Sequence, residues 1–304
     1  MSNPILSIII PTRDRPHLLP RAVQSALEQT FADLEVIVVD DASTQLVELP
    51  EDPRLRVIRL SKSRGGAAAR NVGTDAAIGR WVMYLDDDDR LLPHMAAVSL
   101  DALAQVTLPA PVGVLSGMEL VDDRGNITGS LLPPPARPRG AHFSLEELEP
   151  GCSYNTKQTL VVERQVIRSI GGWDEEFRSR VHSELFLRLN PVCSLFGLPI
   201  VTYQLCAHEG DRVSRNPTLR QESFHRLIRK HESLFKAHPK MFADFVYEHA
   251  RKSYAVGQKR AAYSSVFWAM QIDPLHTLSL VAAQVHSKLH KYTFSKFKYF
   301  KQIN

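Results

Sequence analysis

The sequence predicts an α/β protein: a mainly parallel (mixed) sheet flanked by helices, followed by a C-terminal helical extension. Three observations carry this expectation. Short apolar runs alternate with stretches of helical periodicity over roughly the first hundred residues, the rhythm of βαβ units. Polar or acidic clusters stand directly after three of those runs, where open α/β sheets bind their ligands. From Pro217 the pattern is helical nearly to the end, with few glycines and a break at Asp273-Pro274. The expected division is a domain at 1–216 and a helical basic region at 217–304.

The elements follow in order. Leu6–Ile10 reads as a buried strand that Pro11 ends. Leu18, Leu19, Ala22, Val23, Ala26 and Leu27 repeat at helical spacing within His17–Gln29. Glu35–Val39 is a second buried strand, stopped by Asp40-Asp41-Ala42-Ser43, and Leu55–Leu60 is a third. Gly65-Gly66 breaks the chain before a helix over Ala67–Ile78. Trp81–Leu85 is a fourth strand, ended by four aspartates, and Pro93–Gln105 is helical. After about residue 110 the rhythm changes. Val112–Ser116 reads as a strand, Val121–Asn126 as a hairpin turn, and the four prolines of Leu131–Gly140 as a loop. Thr159–Val162 is strand-like, Gly171–Asp174 is a turn, and Val181–Leu189 is a short helix stopped by Pro191.

Composition bounds the function classes. At about 150 residues per domain, 304 residues suit two domains, or one with an appendage. A chain 44% hydrophobic and 23% charged is globular, neither disordered nor fibrous. Its three cysteines, Cys152, Cys193 and Cys206, form no CxxC pair. That favours a reducing compartment and opposes a zinc ribbon or disulfide framework. No apolar run approaches the ~18 residues of a membrane span, and Ile5–Ile10 is too short for a signal-peptide core. The expected location is cytoplasmic, with peripheral contact on the cytoplasmic face of a membrane. The net charge of +4 hides a split. Residues 1–216 carry 22 basic and 28 acidic side chains, whereas 217–304 carry 15 and 5.

Four adjacent aspartates, Asp86–Asp89, need a counter-charge. The evident relief is a divalent cation with oxygen ligands, Mg²⁺ or Mn²⁺, which binds through one or two carboxylates plus substrate phosphates. No G-x-G-x-x-G follows the first strand and no G-x-x-x-x-G-K-[ST] occurs, which counts against a Rossmann dinucleotide site and a P-loop.

These residues carry a resemblance. The segments 6–44, 65–89, GGWDEEF (171–177), ELFLRL (184–189) and HEGDRVSRN (208–216) stand in the order and spacing of the family-2 glycosyltransferases. The resemblance implies a nucleotide-diphospho-sugar-binding (GT-A-like) fold and a D-x-D metal site. Pro11 and Thr12 would line the base pocket, Asp41 would hydrogen-bond the base, and Arg70 would lie near the nucleotide. Asp86 and Asp88 would be the D-x-D pair, with Asp88 on the metal and Asp87 or Asp89 near the ribose or metal. Trp173, Asp174 and Glu175 would sit by the donor sugar or acceptor, unless Trp173 is a core aromatic. His208 would approach the metal or diphosphate, with Arg212 and Arg215 as neutralising charges. The implied chemistry is inverting transfer from a nucleotide-diphospho-sugar, by direct displacement at the anomeric carbon with a general base on the acceptor hydroxyl.

The sequence departs from the family at that base. Where Glu-Asp is expected before the short helix, it has Val181 and His182. His182 is one candidate base, Glu184 another, and loss of activity the third alternative. The end of the chain, His286–Asn304, mixes five lysines with Tyr292, Phe294, Phe297, Tyr299 and Phe300 and has no acid. It suits an anionic membrane surface better than nucleic acid, or is a solvated helical end. The expected partners are a nucleotide-sugar donor, probed first as a UDP-sugar, a glycan or lipid-linked acceptor, and a second copy in a homodimer. The rivals are a nucleotidyltransferase, opposed by Pro11–Arg15 where a glycine-rich lysine loop would stand, and a non-catalytic sugar-nucleotide-binding or scaffold protein.

Overall fold

The computed structural model describes residues 4–208 and 216–284. It divides into two compact units, Met1–Leu227 and Ile228–Asn304. The basic aromatic segment His286–Asn304, Arg212 and Arg215 lie outside the described residues.

The first unit opens with β1 (Leu6–Thr12), α1 (Leu19–Leu27), β2 (Leu34–Asp40), β3 (Leu55–Arg59), α2 (Gly66–Ala76), β4 (Trp81–Tyr84), β5 (Arg90–Leu91) and α3 (Met95–Gln105). It continues through β6 (Val112–Val121), β7 (Ile127–Leu131), β8 (Ala136–Arg137), a 3₁₀ turn at Tyr154–Thr159, β9 (Val161–Glu163), α4 (Arg164–Ser169), α5 (Val181–Leu189) and β10 (Ser194–Cys206). One sheet runs β3-β2-β1-β4-β9-β6-β10-β5, with β7 on β6 and β8 on β10. β1, β2, β3 and β4 pair in parallel, β9 runs antiparallel to β4 and β6, and β10 lies parallel to β6. The sheet is mixed and flanked by helices.

The two faces follow from strand alternation, which sends successive side chains to opposite sides. Ile8 and Ile10 join Val36, Val38 and Met83 against Leu19, Ala22, Val23 and Ala26 of α1. Ile9 joins Ile37, Val39, Val82 and Tyr84 against Ala67 and Ala69 of α2. Full burial of such a side chain stabilises the fold by roughly 1.5–3 kcal/mol. Gly73 sets the approach of α2: a Cβ there would stand 2.4 Å from Ile9 Cγ2.

Four expectations need correction. Pro11 does not end the first strand, which pairs through Pro11↔Val39 and Thr12↔Asp40. A proline withdraws one donor but keeps its carbonyl, and the carbonyl of Thr12 accepts Asp41 N–H at 2.9 Å. The third strand is the sheet edge and only partly covered; Val57 is 46% exposed. The proline-rich loop contains β8, which pairs with Leu195 and Phe196. β10, the longest strand, has no counterpart in the sequence reading; its own proline and glycine, Pro199 and Gly197, break its pattern.

The second unit takes in the end of α6 (Pro217–Lys230), with α7 (Glu232–Ala237), α8 (Pro239–Ala255), α9 (Lys259–Ile272) and a helix over 274–284. Phe235, Phe242, Ala243, Val246 and Ala250 are buried with Ala262 and Ala269. The Asp273-Pro274 break separates α9 from the helix after it. Asp273 Oδ1 accepts His276 N–H at 3.0 Å, with proline at the first helical position.

Candidate active site

The carboxyl ends of β1, β2 and β4 bring Thr12, Asp40-Asp41 and Asp86–Asp89 to one edge of the sheet. Thr12 Oγ1 donates to Asp87 Oδ2 at 2.7 Å. The four aspartates form a turn, closed by Asp89 N–H to the Asp86 carbonyl at 3.0 Å, and the turn fans their carboxylates apart. Asp86 meets Arg70 of α2. Asp87 takes Thr12 and, at 2.8 Å, Arg15 Nη1. Asp88 Oδ2 takes Arg15 Nη1 at 3.0 Å and meets His208 Nε2 at 2.8 Å. Asp89 points inward and accepts Tyr203 OH at 2.7 Å and Cys206 N–H at 2.9 Å.

This fan splits the electrostatics. Burial, reinforced by Asp86 and Asp88, pushes Asp89 well above the ordinary carboxylate range. Burial also raises Asp87, against Arg15 and Thr12. At Asp86 burial acts in the same sense, but Arg70, His182 and Arg15 outweigh it and hold the carboxyl below its ordinary value. Part of the counter-charge that the sequence assigns to a divalent ion is therefore built into the chain.

Ligand oxygens of Asp86, Asp88 and Asp89 lie within 4.8 Å of one another. An all-carboxylate set fits a hard divalent cation such as Mg²⁺ or Mn²⁺. Both oxygens of Asp89 already serve β10, so Asp86 and Asp88 are the residues that would hold the ion. His208, expected beside the metal, touches Asp88, and its Nδ1 is buried without a hydrogen-bond partner.

Asp41 is buried at the end of β2. Its carboxylate accepts Ser63 Oγ at 2.8 Å, Arg64 N–H at 2.7 Å and Gly65 N–H at 2.8 Å. A carboxylate has about four acceptor positions, so the loop entering α2 uses most of them and one is left for a base. Gly65, at φ +96°, makes this approach possible. Pro11 is buried within β1.

Arg70 is pinned by the Gly66 carbonyl at 3.0 Å, by Asp86 and by the Trp173 ring, 5.1 Å from its guanidinium carbon. Trp173 is 2% exposed and meets Tyr84 and His182 edge-on at 4.8 and 5.0 Å. It is a packed support beneath Arg70 and His182. Asn71 fixes its turn, donating to the Trp173 carbonyl at 2.9 Å and accepting its N–H at 2.8 Å. Asp174 accepts Glu176 N–H at 2.9 Å, and Glu175 accepts from Arg64 and Asn71.

The two base candidates separate. Glu184 is fully buried and paired with Arg188, whose Nε donates at 2.7 Å and whose Nη1 reaches the Ile170 carbonyl. It holds α5 in place and offers no open oxygen. His182 stands at the start of α5. Desolvation first, then the charges of Arg70 and Lys157, lower its pKa to about 3 against the pull of Asp86, so it is neutral at pH 7. Arg15, Asn71, Lys157 and Tyr203 receive no role from the sequence reading. The available signal was charge balance: four aspartates require cations, and Arg15 follows the first strand.

A β3-β2-β1-β4 parallel core with an acidic turn and two arginines at its carboxyl edge defines a nucleotide-diphospho-sugar transferase fold. Residues 7–109, about a third of the chain, match Glycosyl transferase family 2. Over 94 residues it is 40% identical to the succinoglycan biosynthesis protein ExoO of Rhizobium meliloti, covering 30% of this chain and 27% of that protein. Over 96 residues it is 38% identical to the Campylobacter jejuni GalNAc(5)-diNAcBac-PP-undecaprenol beta-1,3-glucosyltransferase, covering 29% and 31%. The chain thus matches about a third or less of the length of these curated relatives. The crystal structure of S. aureus TarS 1-349 in complex with UDP-GlcNAc superposes with a TM-score of 0.64 at 17% identity. It covers 90% of this chain and 83% of that one, and shows the shared fold.

Proposed function

We propose that the protein is a metal-dependent inverting glycosyltransferase that moves a sugar from a nucleotide-diphospho-sugar, first a UDP-sugar, to a hydroxyl of a glycan or lipid-linked acceptor in polysaccharide synthesis. The observation that carries this reading is the Asp86–Asp88 turn. It stands at the carboxyl edge of the parallel core, beside Thr12, Asp41 and Arg70. UDP-GlcNAc in TarS and the undecaprenol-linked acceptor in the Campylobacter enzyme's name support the donor and acceptor classes. Bound at Asp86 and Asp88, Mg²⁺ or Mn²⁺ would supply charge neutralisation for the departing nucleoside diphosphate.

The chain's own residues do the rest. Thr12 and the free position of Asp41 orient the nucleotide. Arg70, fixed on Trp173, adds a positive charge beside the departing group. His182, neutral at pH 7, accepts the acceptor's hydroxyl proton. It is a weak base chiefly because burial disfavours its charged form, with Arg70 and Lys157 adding their repulsion; a bound diphosphate would offset those two charges and raise its proton affinity. A single displacement inverts the anomeric configuration. The absence among the described residues of a helix long and apolar enough to cross a membrane is compatible with peripheral attachment on the cytoplasmic face.

The test is release of nucleoside diphosphate from UDP-, GDP- and dTDP-sugars with Mn²⁺ or Mg²⁺ and lipid-linked or soluble acceptors. Turnover of one donor, reduced about 10²–10⁴-fold in His182→Ala as for a lost general base, supports the reading. One observation favours a second reading, a sugar-nucleotide-binding protein without turnover: the base position holds a histidine whose pKa is about 3. Metal-dependent nucleotide binding with no release would select it.

A further inference from the structure

Exposed apolar side chains are spread unevenly over the molecule. Among the described residues, six of fourteen large exposed hydrophobics stand within residues 254–278 of the second unit: Tyr254, Val256, Tyr263, Phe267, Leu275 and Leu278. Those of the first unit stand singly along the chain, which is ordinary for a protein surface. In the second unit they follow helical spacing. On α9, Ala262, Ser265 and Ala269 are buried, whereas Tyr263 and Phe267, one turn apart, are 65% and 66% exposed. On the helix over 274–284, Thr277 is buried and His276 Nε2 meets Asp244 Oδ1 of α8 at 2.8 Å, whereas Leu275 and Leu278 are 81% and 52% exposed. Removing side chains of this size from water is favourable, so the pattern suits a partner that takes up apolar groups.

Charge selects that partner. Residues 228–284 carry eight lysines and arginines and four acids. The acids are already engaged. Glu232 pairs with Lys236, Asp244 with His276, and Glu248 with Arg251 and Lys252, while Asp273 accepts His276 N–H. Lys259 and Arg260, in the first turn of α9, are exposed and meet no carboxylate among the described residues. The sequence beyond, His286–Asn304, adds five lysines and no acid.

We propose that the exposed faces of α9 and of the helix after it seat this unit on an anionic lipid surface. Tyr263, Phe267, Leu275 and Leu278 enter the boundary between headgroups and acyl chains, where aromatic and aliphatic side chains are stable. Lys259 and Arg260 pair with the lipid phosphates. A second copy of the same face would bring unmatched cations together, and a bilayer without net charge offers them no attraction. The inference deepens, and for its purpose rests on, the lipid-linked acceptor of the reading above: it brings the chain to the surface where that acceptor lies.

The experiment measures flotation of the full chain with vesicles of phosphatidylcholine alone and of phosphatidylcholine mixed with phosphatidylglycerol. It compares wild type with a fourfold variant (Tyr263→Ser, Phe267→Ser, Leu275→Ser, Leu278→Ser), a charge variant (Lys259→Gln, Arg260→Gln) and a control in the first unit (Leu46→Ser, Ile127→Ser). Melting temperatures confirm folding. Wild type is expected to bind the anionic vesicles and the neutral ones far less. The fourfold variant is expected to lose about tenfold or more in affinity for the anionic vesicles. The charge variant loses several-fold and becomes less sensitive to salt, and the control binds as wild type. A folded fourfold variant that binds anionic vesicles as wild type does overturns the proposal. So does a dimer, seen by sedimentation without vesicles, that the same four substitutions dissolve while vesicle binding stays unchanged; the occupant is then a second copy. Wild type that turns over donor yet floats with neither vesicle overturns this inference alone, whereas loss of both flotation and turnover overturns it together with the transferase reading.

Discussion

At the amino ends of the parallel strands one carboxylate, Glu35, is met by Ser7 Oγ at 2.6 Å, Ile78 N–H at 2.8 Å, Gly79 N–H at 3.4 Å and Arg56 Nη2 at 2.6 Å. At the carboxyl ends Asp40, Asp41 and Asp86–Asp89 crowd one edge. Arg15 is divided between two of these carboxylates, and Asp89 is driven well above the ordinary carboxylate range. One end satisfies a single charge several times over; the other, among the described residues, gathers six carboxylates at one edge. The first arrangement stabilises a fold. The second is where the proposed cation would bind, so the two ends are expected to respond differently to the loss of a carboxylate.

The largest expected effect is at the crowded end. Asp88→Ala removes a ligand of the proposed metal, whose charge stabilisation is worth several kcal/mol. Donor turnover is expected to fall about 10³-fold or more, while the melting temperature holds or rises because like-charge repulsion is relieved. A fall in melting temperature comparable to that of a Glu35 variant would erase the distinction between the two ends.

Glu184 tests the same distinction inside the domain. It is a fully buried carboxylate paired with Arg188, so it belongs with Glu35 despite its place two residues from His182. Breaking a buried pair by removing one partner costs about 3–5 kcal/mol, and Glu184→Ala is expected to lose that much in urea unfolding. A variant that folds normally yet no longer transfers sugar would return Glu184 to the role of base.

Glu35 gives the pH signature. Burial raises its carboxyl, but hydrogen bonds from Ser7, Ile78 and Arg56 outweigh that and leave it below its ordinary value. A carboxyl lowered in the folded state contributes stability that is fully present above the unfolded value near 4.3–4.5 and is lost as pH falls through the folded value. Glu35→Gln is therefore expected to destabilise by about 2 kcal/mol at pH 7, as for hydrogen bonds to a charged group. The gap to wild type should close below about pH 4.5 in urea titrations, with donor binding unchanged. A gap that persists at pH 3 would mean that shape, not charge, makes the contribution.

The comparison also explains what the sequence made legible. β1, β2 and β4 are largely apolar runs buried on both faces of the sheet, broken only by Ser7 and Glu35 near their amino ends, and each leads into polar residues, so strands and strand-end cluster could be read together. β10 could not, because it is long, bulged and interrupted by Gly197 and Pro199, and its partner β6 lies some eighty residues earlier. At the site, residue types pointed to the aspartates, while their partners depend on distance in space. Nothing local links Arg15 to Asp87, or Asp89 to Tyr203. Trp173 shows the same limit: a tryptophan after two glycines reads as a residue beside the donor sugar or acceptor or as a core aromatic, and its burial shows only in the packing of Tyr84, Arg70 and His182 around it.

The smallest expected effect lies where the crowded end meets α5. Asn71 of α2 holds the backbone of Trp173 in both directions and also reaches Glu175 at 3.0 Å. A Cβ on Gly172 would stand 2.6 Å from Asn71 Oδ1, and Gly171 and Gly172 both have positive φ, so the turn is shaped to fit this side chain. Asn71→Ala loses two backbone hydrogen bonds and one to the Glu175 carboxylate on a partly exposed side chain, and is expected to lower stability by about 1 kcal/mol. Its more informative consequence is positional. With the turn freed, Trp173 no longer fixes His182, so kcat is expected to fall while Mn²⁺ affinity at Asp86 and Asp88 stays at the wild-type value. Asn71→Asp keeps an acceptor for the Trp173 N–H but loses the donor to its carbonyl and places a second charge against Glu175, so it should be more damaging than alanine. If Mn²⁺ affinity falls in parallel with kcat, the turn supports the acidic edge as well, and the donor and base sides of the site are one mechanical unit.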